Sequence, residues 1–342
     1  MEATEVAQCH LDGNADAVEF CPHEPFHRVL AAATYTLQEG EKPTRTGSIS
    51  LLDVDAEVGS MSLLHRVETV GVFDIKWAPP ISGNADRTFL AQAGADGYLR
   101  IHVLEGSLNE CKLREIESMR ISSSMCLCLD WNSSASSTIV GISDGSIAVA
   151  SISESRLEIT QEWSAHDFEV WAATFDIHQP DLVYTGADDC KFACWDLRED
   201  SCSVVFRNSK AHKMGVCCIS KTPDDPYKLL TGSYDENLRV WDLRSMSKPV
   251  NEIEVCLGGG VWRVKHHPSA PNVVLAACMH NGYAIVNIDE GGAEVLGTYN
   301  EHGSLAYGAD WCKGQAHENS NVVATCSFYD RLVRVWRPGK LL

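Results

Sequence analysis

Residues 232–244 read GSYDENLRVWDLR, and residues 186–198 read GADDCKFACWDLR. Each segment contains a small residue, an aspartate within a polar turn, alternating apolar residues and then Trp-Asp. Apolar alternation beside a short polar turn is typical of antiparallel β-hairpins. The two segments are therefore copies of one structural unit.

Five further segments follow the same template more loosely. They are GSISLLDV from Gly47, GADGYLRIHV from Gly94, GISDGSIAVAS from Gly141, CMHNGYAIVNI from Cys278 and CSFYDRLVRVW from Cys326. The tryptophan position is taken in order by Leu52, His102, Ala150, Trp195, Trp241, Asn287 and Trp336, at spacings of 50, 48, 45, 46, 46 and 49 residues. Such a period is typical of WD-type propellers, in which each repeat forms one four-stranded blade.

The repeats predict an all-β fold, a seven-bladed WD40-type β-propeller that occupies residues 1–342 as a single domain. The N-terminal segment EVAQCHL is expected to supply a strand, at about residues 4–11, that closes the last blade and removes an open sheet edge. We find no convincing amphipathic helix in the sequence.

Composition restricts the kinds of partner. The chain has 28 basic and 47 acidic residues, a net charge of −19, so nucleic acid and anionic membrane surfaces are unfavourable partners. No signal peptide or long apolar run is evident, and the 14 cysteines show no paired zinc-binding spacing. We expect reduced thiols and a cytoplasmic monomer with no bound metal.

Several polar residues are explained by the blades themselves. A histidine, a threonine, an aspartate and the tryptophan recur at fixed positions, and WD repeats commonly connect these four side chains by hydrogen bonds. We call this set the blade lock. The sets are His166, Thr185, Asp189 and Trp195; His212, Thr231, Asp235 and Trp241; and, in the last repeat, His302, Asp330 and Trp336.

Counting from the histidine of the lock reveals an aromatic column. Five residues further along stand Asp16, Phe73, Leu127, Trp171, Cys217, Trp262 and Tyr307, and the turns on the same face contribute Asp188, Tyr234, His280 and Tyr329. One face is therefore predicted to hold an aromatic, acidic site composed of Phe73, Trp171, Tyr234, Trp262, Tyr307, Tyr329, Asp74, Glu169 and Asp188. Aromatic rings with carboxylates favour a cationic guest. The alternative is that the rings pack between blades or bind a peptide.

The sixth repeat departs from the pattern in a way that bears on this face. Its lock histidine is replaced by the run LGGG at residues 257–260, directly before Trp262. Glycines allow the backbone to approach its neighbours closely, so we expect Trp262 to stay accessible.

Candidate catalytic residues lie beside the same column. His280 occupies a turn position that no lock requires, and a histidine can serve as a general base near neutral pH. Ser304 follows His302 by two residues in HGSLAYG, and the amides of Gly303 or of Gly258–Gly260 could stabilise an oxyanion. The catalytic hypotheses are His280, His302 and Ser304, with either the serine attacking an ester or His280 activating water.

The segments LGGGVWRVKHHP, LAACMHNGYAIVN, HGSLAYGADW and VVATCSFYDRLVRVW, within residues 256–337, resemble the WD-repeat diphthine methylesterase family of diphthamide biosynthesis. The resemblance implies a carboxylic ester hydrolase without a cofactor. Its substrate would be a methylated diphthine side chain, which carries a trimethylammonium group, on translation elongation factor 2. The resemblance supplies no catalytic motif that can be transferred residue by residue.

A second function fits another feature. The sequence WDLR occurs at 195–198 and at 241–244, six residues after a turn aspartate. It resembles the box by which WD-repeat receptors dock onto a cullin–RING ubiquitin ligase adaptor. The alternative to the esterase is therefore a non-catalytic adaptor.

Overall fold

Each copy of the repeat folds into its own antiparallel sheet. The computed structural model describes residues 2–81, 88–153, 156–198, 203–314 and 321–339, and within these ranges it contains strands and turns but no helix. The seven sheets confirm the predicted all-β propeller.

Blades 1 to 3 come from the first half of the chain. Blade 1 contains β2 (Ala15–Phe20), β3 (Val29–Thr34), β4 (Thr36–Gln38), β5 (Thr44–Asp55) and β6 (Ser60–Val70). Blade 2 contains β7 (Val72–Trp77), β8 (Thr88–Gly94), β9 (Tyr98–Glu105) and β10 (Lys112–Arg120). Blade 3 contains β11 (Cys126–Trp131), β12 (Ser137–Ile142), β13 (Ser146–Ser153) and β14 (Arg156–Ser164).

Blades 4 to 7 come from the second half of the chain. Blade 4 contains β15 (Val170–Phe175), β16 (Leu182–Ala187), β17 (Phe192–Asp196) and β18 (Ser203–Asn208), and blade 5 contains β19 (Val216–Lys221), β20 (Lys228–Ser233), β21 (Asn237–Asp242) and β22 (Val250–Cys256). Blade 6 contains β23 (Arg263–His266), β24 (Val273–Ala277), β25 (Tyr283–Asp289) and β26 (Gly292–Tyr299). Blade 7 joins β27 (Ala306–Trp311), β28 (Val323–Ser327) and β29 (Leu332–Pro338) to the N-terminal strand β1 (Ala3–His10), which pairs with β29.

A β-bulge interrupts the innermost strand of six blades at the same place. The pairing register skips one residue in each of them, and the skipped residues are Asp16, Phe73, Leu127, Trp171, Cys217 and Tyr307. In blade 6 the strand begins directly after Trp262, the equivalent residue. Bulges redirect side chains, so the aromatic column found in the sequence is a ring of bulged positions around the channel. We call the face of the disc that carries this ring the top face.

Blade locks hold the sheets of blades 4, 5 and 7. In blade 4, the His166 Nε2 lies 2.8 Å from the hydroxyl of Thr185, which also accepts a 2.8 Å hydrogen bond from the Trp195 indole. In blade 5, the Arg239 guanidinium stands between the histidine and the aspartate and bonds to both. The sequence pattern did not indicate this arginine, because it lies outside the four recurring positions.

Two further findings concern expectations from composition. The cysteines that the structure describes form no disulfide bond. Within the same residues, no helix long and apolar enough to span a bilayer is found.

Candidate functional site

Aromatic rings form a continuous surface on the top face. Trp262 is its centre, with ring centroids 4.9 Å from Tyr307, 5.4 Å from Trp171 and 5.8 Å from Tyr234. The contacts continue through Phe328, whose ring lies 5.2 Å from Tyr307 and 5.0 Å from Tyr329. The full set, which we call the aromatic surface, is Tyr35, Phe73, Trp171, Tyr234, Trp262, Tyr307, Phe328 and Tyr329.

This surface brings together all six aromatic residues named from the sequence and adds two. Tyr35 lies in the turn after β3, 4.6 Å from Phe73, and Phe328 directly precedes Tyr329. Neither stands at a column position, so repeat counting could not find them. The only indication in the sequence was that each is an aromatic residue in a loop at the end of a predicted strand.

The rings pack on each other and keep part of their surface accessible to solvent. Trp262 and Tyr307 are stacked with ring planes 27° apart, and at 4.9 Å no cation fits between them. Trp171, Trp262 and Tyr307 are half-buried, whereas Tyr329 is 69% exposed. A cation would therefore lie against an open ring face, within the roughly 6 Å at which the ring quadrupole attracts it.

The glycine run shapes the loop that carries Trp262. A Cβ on Gly259 would lie 2.1 Å from the Cys278 carbonyl oxygen, and one on Gly260 would lie 2.7 Å from the Met279 sulfur. Gly258 has φ of +75°, a conformation that favours glycine. The glycines are thus needed for the close approach of this loop to the turn that bears His280.

The predicted acidic residues separate into two groups. Asp188 is exposed and Glu169 is half-buried at the edge of blade 4, where the Asp188 N–H donates to the Glu169 carbonyl over 2.9 Å. The prediction that Asp74 belongs to this exposed group was wrong. Its side chain is buried in the channel and accepts a 3.0 Å hydrogen bond from Arg263, because the bulge directs Phe73, and not its neighbour, to the top face.

Beneath the aromatic surface, the central channel holds paired charges around a cavity of about 420 Å³. Glu19 accepts a 2.6 Å bond from Lys265 and lies 3.6 Å from Lys76. Burial opposes ionisation of Glu19, but these two ammonium groups outweigh it and lower its pKa to about 2. Asp310 bonds to Lys313 over 2.9 Å. Carboxylates in the channel are thus largely compensated by cations.

A second cavity adjoins the aromatic surface, and we call it the serine pocket. Its volume is about 540 Å³, and it brings together all three catalytic candidates from the sequence. The lining residues are His280, Asn281, Gly282, Asn300, His302, Gly303, Ser304, Leu305 and Tyr329.

The two histidine candidates differ in whether their ring nitrogens are already hydrogen-bonded. Both ring nitrogens of His302 are engaged in the lock of blade 7, with Nδ1 2.5 Å from the Ser327 hydroxyl and Nε2 2.8 Å from the Thr325 hydroxyl. Burial lowers the pKa of His302 to about 4. His280 is exposed, and its ring contacts no hydrogen-bond partner among the described residues. His302 is therefore a structural residue here, and His280 is the accessible histidine.

Backbone groups position the serine. The Tyr329 N–H donates to Ser304 Oγ over 3.0 Å, which leaves the hydroxyl proton available. The Gly303 N–H, an oxyanion candidate from the sequence, donates instead to the Asp330 carboxylate over 2.9 Å. The N–H groups of Ser304 and Leu305 donate to no other residue that the structure describes, so they are the better donors for an oxyanion.

The fold and this face define a WD-repeat propeller with a surface of packed aromatic rings beside a serine-containing pocket. Residues 202–242 match the family model described as WD domain, G-beta repeat. The chain is 35% identical over 325 residues to diphthine methyltransferase of Mus musculus, covering 87% of this chain and 67% of that protein. It is 31% identical over 366 residues to the diphthine methyltransferase homolog of Dictyostelium discoideum, covering 96% and 98% respectively.

The chain belongs to the diphthine methyltransferase family, which confirms the family resemblance of residues 256–337. A chain in a structure titled Crystal Structure of Mitotic Checkpoint Complex superimposes with a TM-score of 0.73 over 99% of this chain and 93% of that one. At 16% identity this similarity concerns the fold alone.

Proposed function

We propose that this protein hydrolyses the methyl ester of methylated diphthine on translation elongation factor 2, as an enzyme of diphthamide biosynthesis. Its relatives are named diphthine methyltransferases, a name that places them in the chemistry of diphthine methylation. The proposed reaction removes a methyl group from an ester, consumes water and releases methanol.

The observation that carries the proposal is the position of Tyr329. This residue lines the serine pocket, and its ring contacts Phe328 of the aromatic surface at 5.0 Å. A methylated diphthine carries an ester and a quaternary ammonium group on the same side chain. A receptor for it must hold a cation site directly beside an ester site, and Tyr329 supports this proposal because it joins the aromatic surface to the serine pocket.

A serine hydroxyl, an accessible histidine and two backbone N–H groups without other partners among the described residues line the serine pocket. In the proposed reaction, Ser304 Oγ attacks the ester carbonyl while His280 takes its proton. The N–H groups of Ser304 and Leu305 stabilise the oxyanion, and the proton on His280 leaves with methanol. Water then cleaves the acyl-serine, which restores the hydroxyl and frees the carboxylate product.

The surroundings of the site are suited to a folded protein substrate. Phe168 is 58% exposed and Met214 is 52% exposed, each two residues beyond a lock histidine in neighbouring blades. Exposed apolar side chains beside an open site favour contact with a protein surface. The net charge of −19 attracts a basic, RNA-binding translation factor.

The direct test uses elongation factor 2 that carries the methylated intermediate. Incubation with the purified protein is expected to lower the mass of the modified peptide by one CH₂ unit and to release methanol. Stable binding of the factor without a change in mass would contradict the proposal.

An adaptor function is the second candidate, and the WDLR segments favour it. The side chains of Arg198 and Arg244 are 67% and 71% exposed on neighbouring blades. Each guanidinium bonds to the aspartate two residues before it, Asp196 or Asp242, which orients it at the surface. Copurification of a cullin–RING ligase adaptor with the wild type, and its loss in the double variant Arg198→Ala, Arg244→Ala, would support this function.

A further inference from the structure

The ring of bulged residues contains one acidic side chain. Six innermost strands place a bulged residue at the top of the channel, and in blade 1 this residue is Asp16. Its counterparts in the neighbouring blades are Phe73 and Tyr307, both members of the aromatic surface. The β-bulge that directs aromatic rings to the top of the channel in the neighbouring blades therefore directs a carboxyl group there in blade 1.

Asp16 differs from the other acids of the channel in having no hydrogen-bond partner among the described residues. It is 3% exposed. By contrast, Glu19 accepts from the Trp77 N–H at 2.7 Å, and Asp310 accepts from the Phe20 N–H at 2.9 Å. A buried carboxylate without donors is costly, so an unpaired one in a native fold calls for a ligand or a proton.

The groups facing Asp16 do not neutralise it fully. The positive charge that acts on Asp16 is that of Arg263, whose guanidinium is already bonded to Asp74. The other titratable groups that interact with Asp16 are Asp74 of β7, Tyr234 in the turn of blade 5, Tyr307 of β27 and Cys326 of β28. Burial raises the pKa of Asp16 to about 8 against the opposing effect of Arg263, and Asp74 adds to the rise.

We propose that Asp16 is the buried counter-charge of the cation site, neutral while the site is empty and ionised when a quaternary ammonium group binds against the rings of Trp262 and Tyr307. The proton leaves Asp16 for the solvent, and the resulting carboxylate is compensated by the bound cation. The choice of a quaternary ammonium guest rests on the proposed function. The position of Asp16 in the ring does not depend on that choice.

The proposal gives cation binding a defined pH dependence. Below pH 8 the cation must displace a proton, so the affinity rises with pH by up to about tenfold per pH unit. Above the pKa the carboxylate is already present and the affinity becomes constant. A site made only of rings and permanently ionised surface carboxylates would show no such dependence.

The test measures binding of tetramethylammonium chloride to the full-length protein between about pH 6 and pH 9. Tryptophan fluorescence reports binding, and calorimetry in buffers of different ionisation enthalpy reports proton release. The wild type is expected to release a proton on binding below pH 8. Asp16→Asn, which mimics the neutral form, is expected to bind weakly at every pH and to release none.

A matched control separates Asp16 from surface charge. Asp167→Asn removes an exposed carboxylate beside the lock histidine of blade 4 and is expected to leave the affinity and the pH dependence of binding unchanged. Asp16→Glu is expected to restore proton release, and circular dichroism checks that each variant is folded. The same affinity and pH profile in Asp16→Asn and wild type, or no binding of tetramethylammonium at any pH, would overturn the proposal.

Different results would contradict the proposed esterase activity and the proposed role of Asp16. If the wild type released no methanol but bound tetramethylammonium with the expected pH dependence, the esterase proposal would be wrong and the role of Asp16 would be supported. If Asp16→Asn released methanol normally and bound tetramethylammonium with the same pH profile as the wild type, the esterase proposal would be supported and the role of Asp16 would be wrong.

Discussion

The indole of Trp262 stacks on the phenol ring of Tyr307, with centroids 4.9 Å apart and ring planes 27° apart. The two residues belong to neighbouring blades: Trp262 directly precedes β23, and Tyr307 is the bulged residue of β27. Because the stacked pair cannot admit a guest between its rings, the proposed cation site consists of the accessible faces of this pair, Trp171 and Tyr329.

Removal of the central ring should weaken cation binding without unfolding the protein. For Trp262→Ala we expect a loss of about 1–2 kcal/mol, which is roughly five- to thirtyfold in the Kd for tetramethylammonium. Trp171→Ala should show a smaller loss in the same direction. Tyr227→Ala, which removes an exposed ring remote from this surface, is the control and should bind like the wild type. Equal affinities in all four proteins would exclude the aromatic surface as the cation site.

The roles of the two accessible catalytic candidates can be separated. Ser304→Ala and His280→Gln should each lower methanol release by at least about a hundredfold, the usual effect of losing a nucleophile or a general base. His10→Gln changes an exposed histidine on β1 and should leave the rate unchanged. A Ser304→Ala variant that keeps its activity while His280→Gln loses it would favour direct activation of water by His280.

The His302 side chain should matter for stability. His302→Ala leaves the hydroxyls of Thr325 and Ser327 without their ring partner, so we expect a loss of about 1–3 kcal/mol in the free energy of unfolding. Denaturant titration measures this loss. A variant with native stability and no esterase activity would instead assign His302 to catalysis.

Acid should destabilise the fold through its buried histidines. Burial lowers the pKa of His102, His212 and His302 from 6.5 to about 4 in each case. The unfolded chain therefore binds more protons than the folded one between pH 6.5 and about 4, and stability falls as the pH drops through this range. Asp16 titrates in the opposite sense and offsets about one of the three histidines. We expect a slope of up to about 3 kcal/mol per pH unit in unfolding experiments.

The Asp16→Asn variant tests how the raised pKa of Asp16 affects the stability of the fold. Because the pKa of Asp16 is raised from 3.8 to about 8, the folded chain must take up a proton that the unfolded chain has lost, and this costs more stability as the pH rises between these values. Asp16→Asn should therefore melt at a higher temperature than the wild type at pH 7, and the difference should shrink towards pH 4. A lower melting temperature at pH 7 would show that the Asp16 carboxylate is stabilised in the fold.

The repeats carried enough information for the blades and for most of the aromatic surface. Apolar alternation and a regular period define the strands, and counting from the lock histidine found the bulged column because all blades share one backbone geometry. The same counting misplaced Asp74. A bulge reverses the direction in which the next side chain points, and the sequence gives no sign of where the register shifts.

Contacts between distant parts of the chain were the main limit of prediction. The pairing of Arg263 with Asp74 joins residues 189 positions apart across the channel, and no local pattern indicates it. The isolation of Asp16 was hidden for the same reason, since an unpaired carboxyl is recognised only when the partners of all its neighbours are known.

Hydrolysis in heavy-oxygen water tests the central claim most directly. Elongation factor 2 carrying the methylated intermediate would be incubated with the protein, and the products analysed by mass spectrometry. Attack at the ester carbonyl predicts that the heavy oxygen enters the carboxylate of the modified side chain and that the released methanol is unlabelled. Labelled methanol, a gain of methyl mass on the factor, or an unchanged factor would contradict the account.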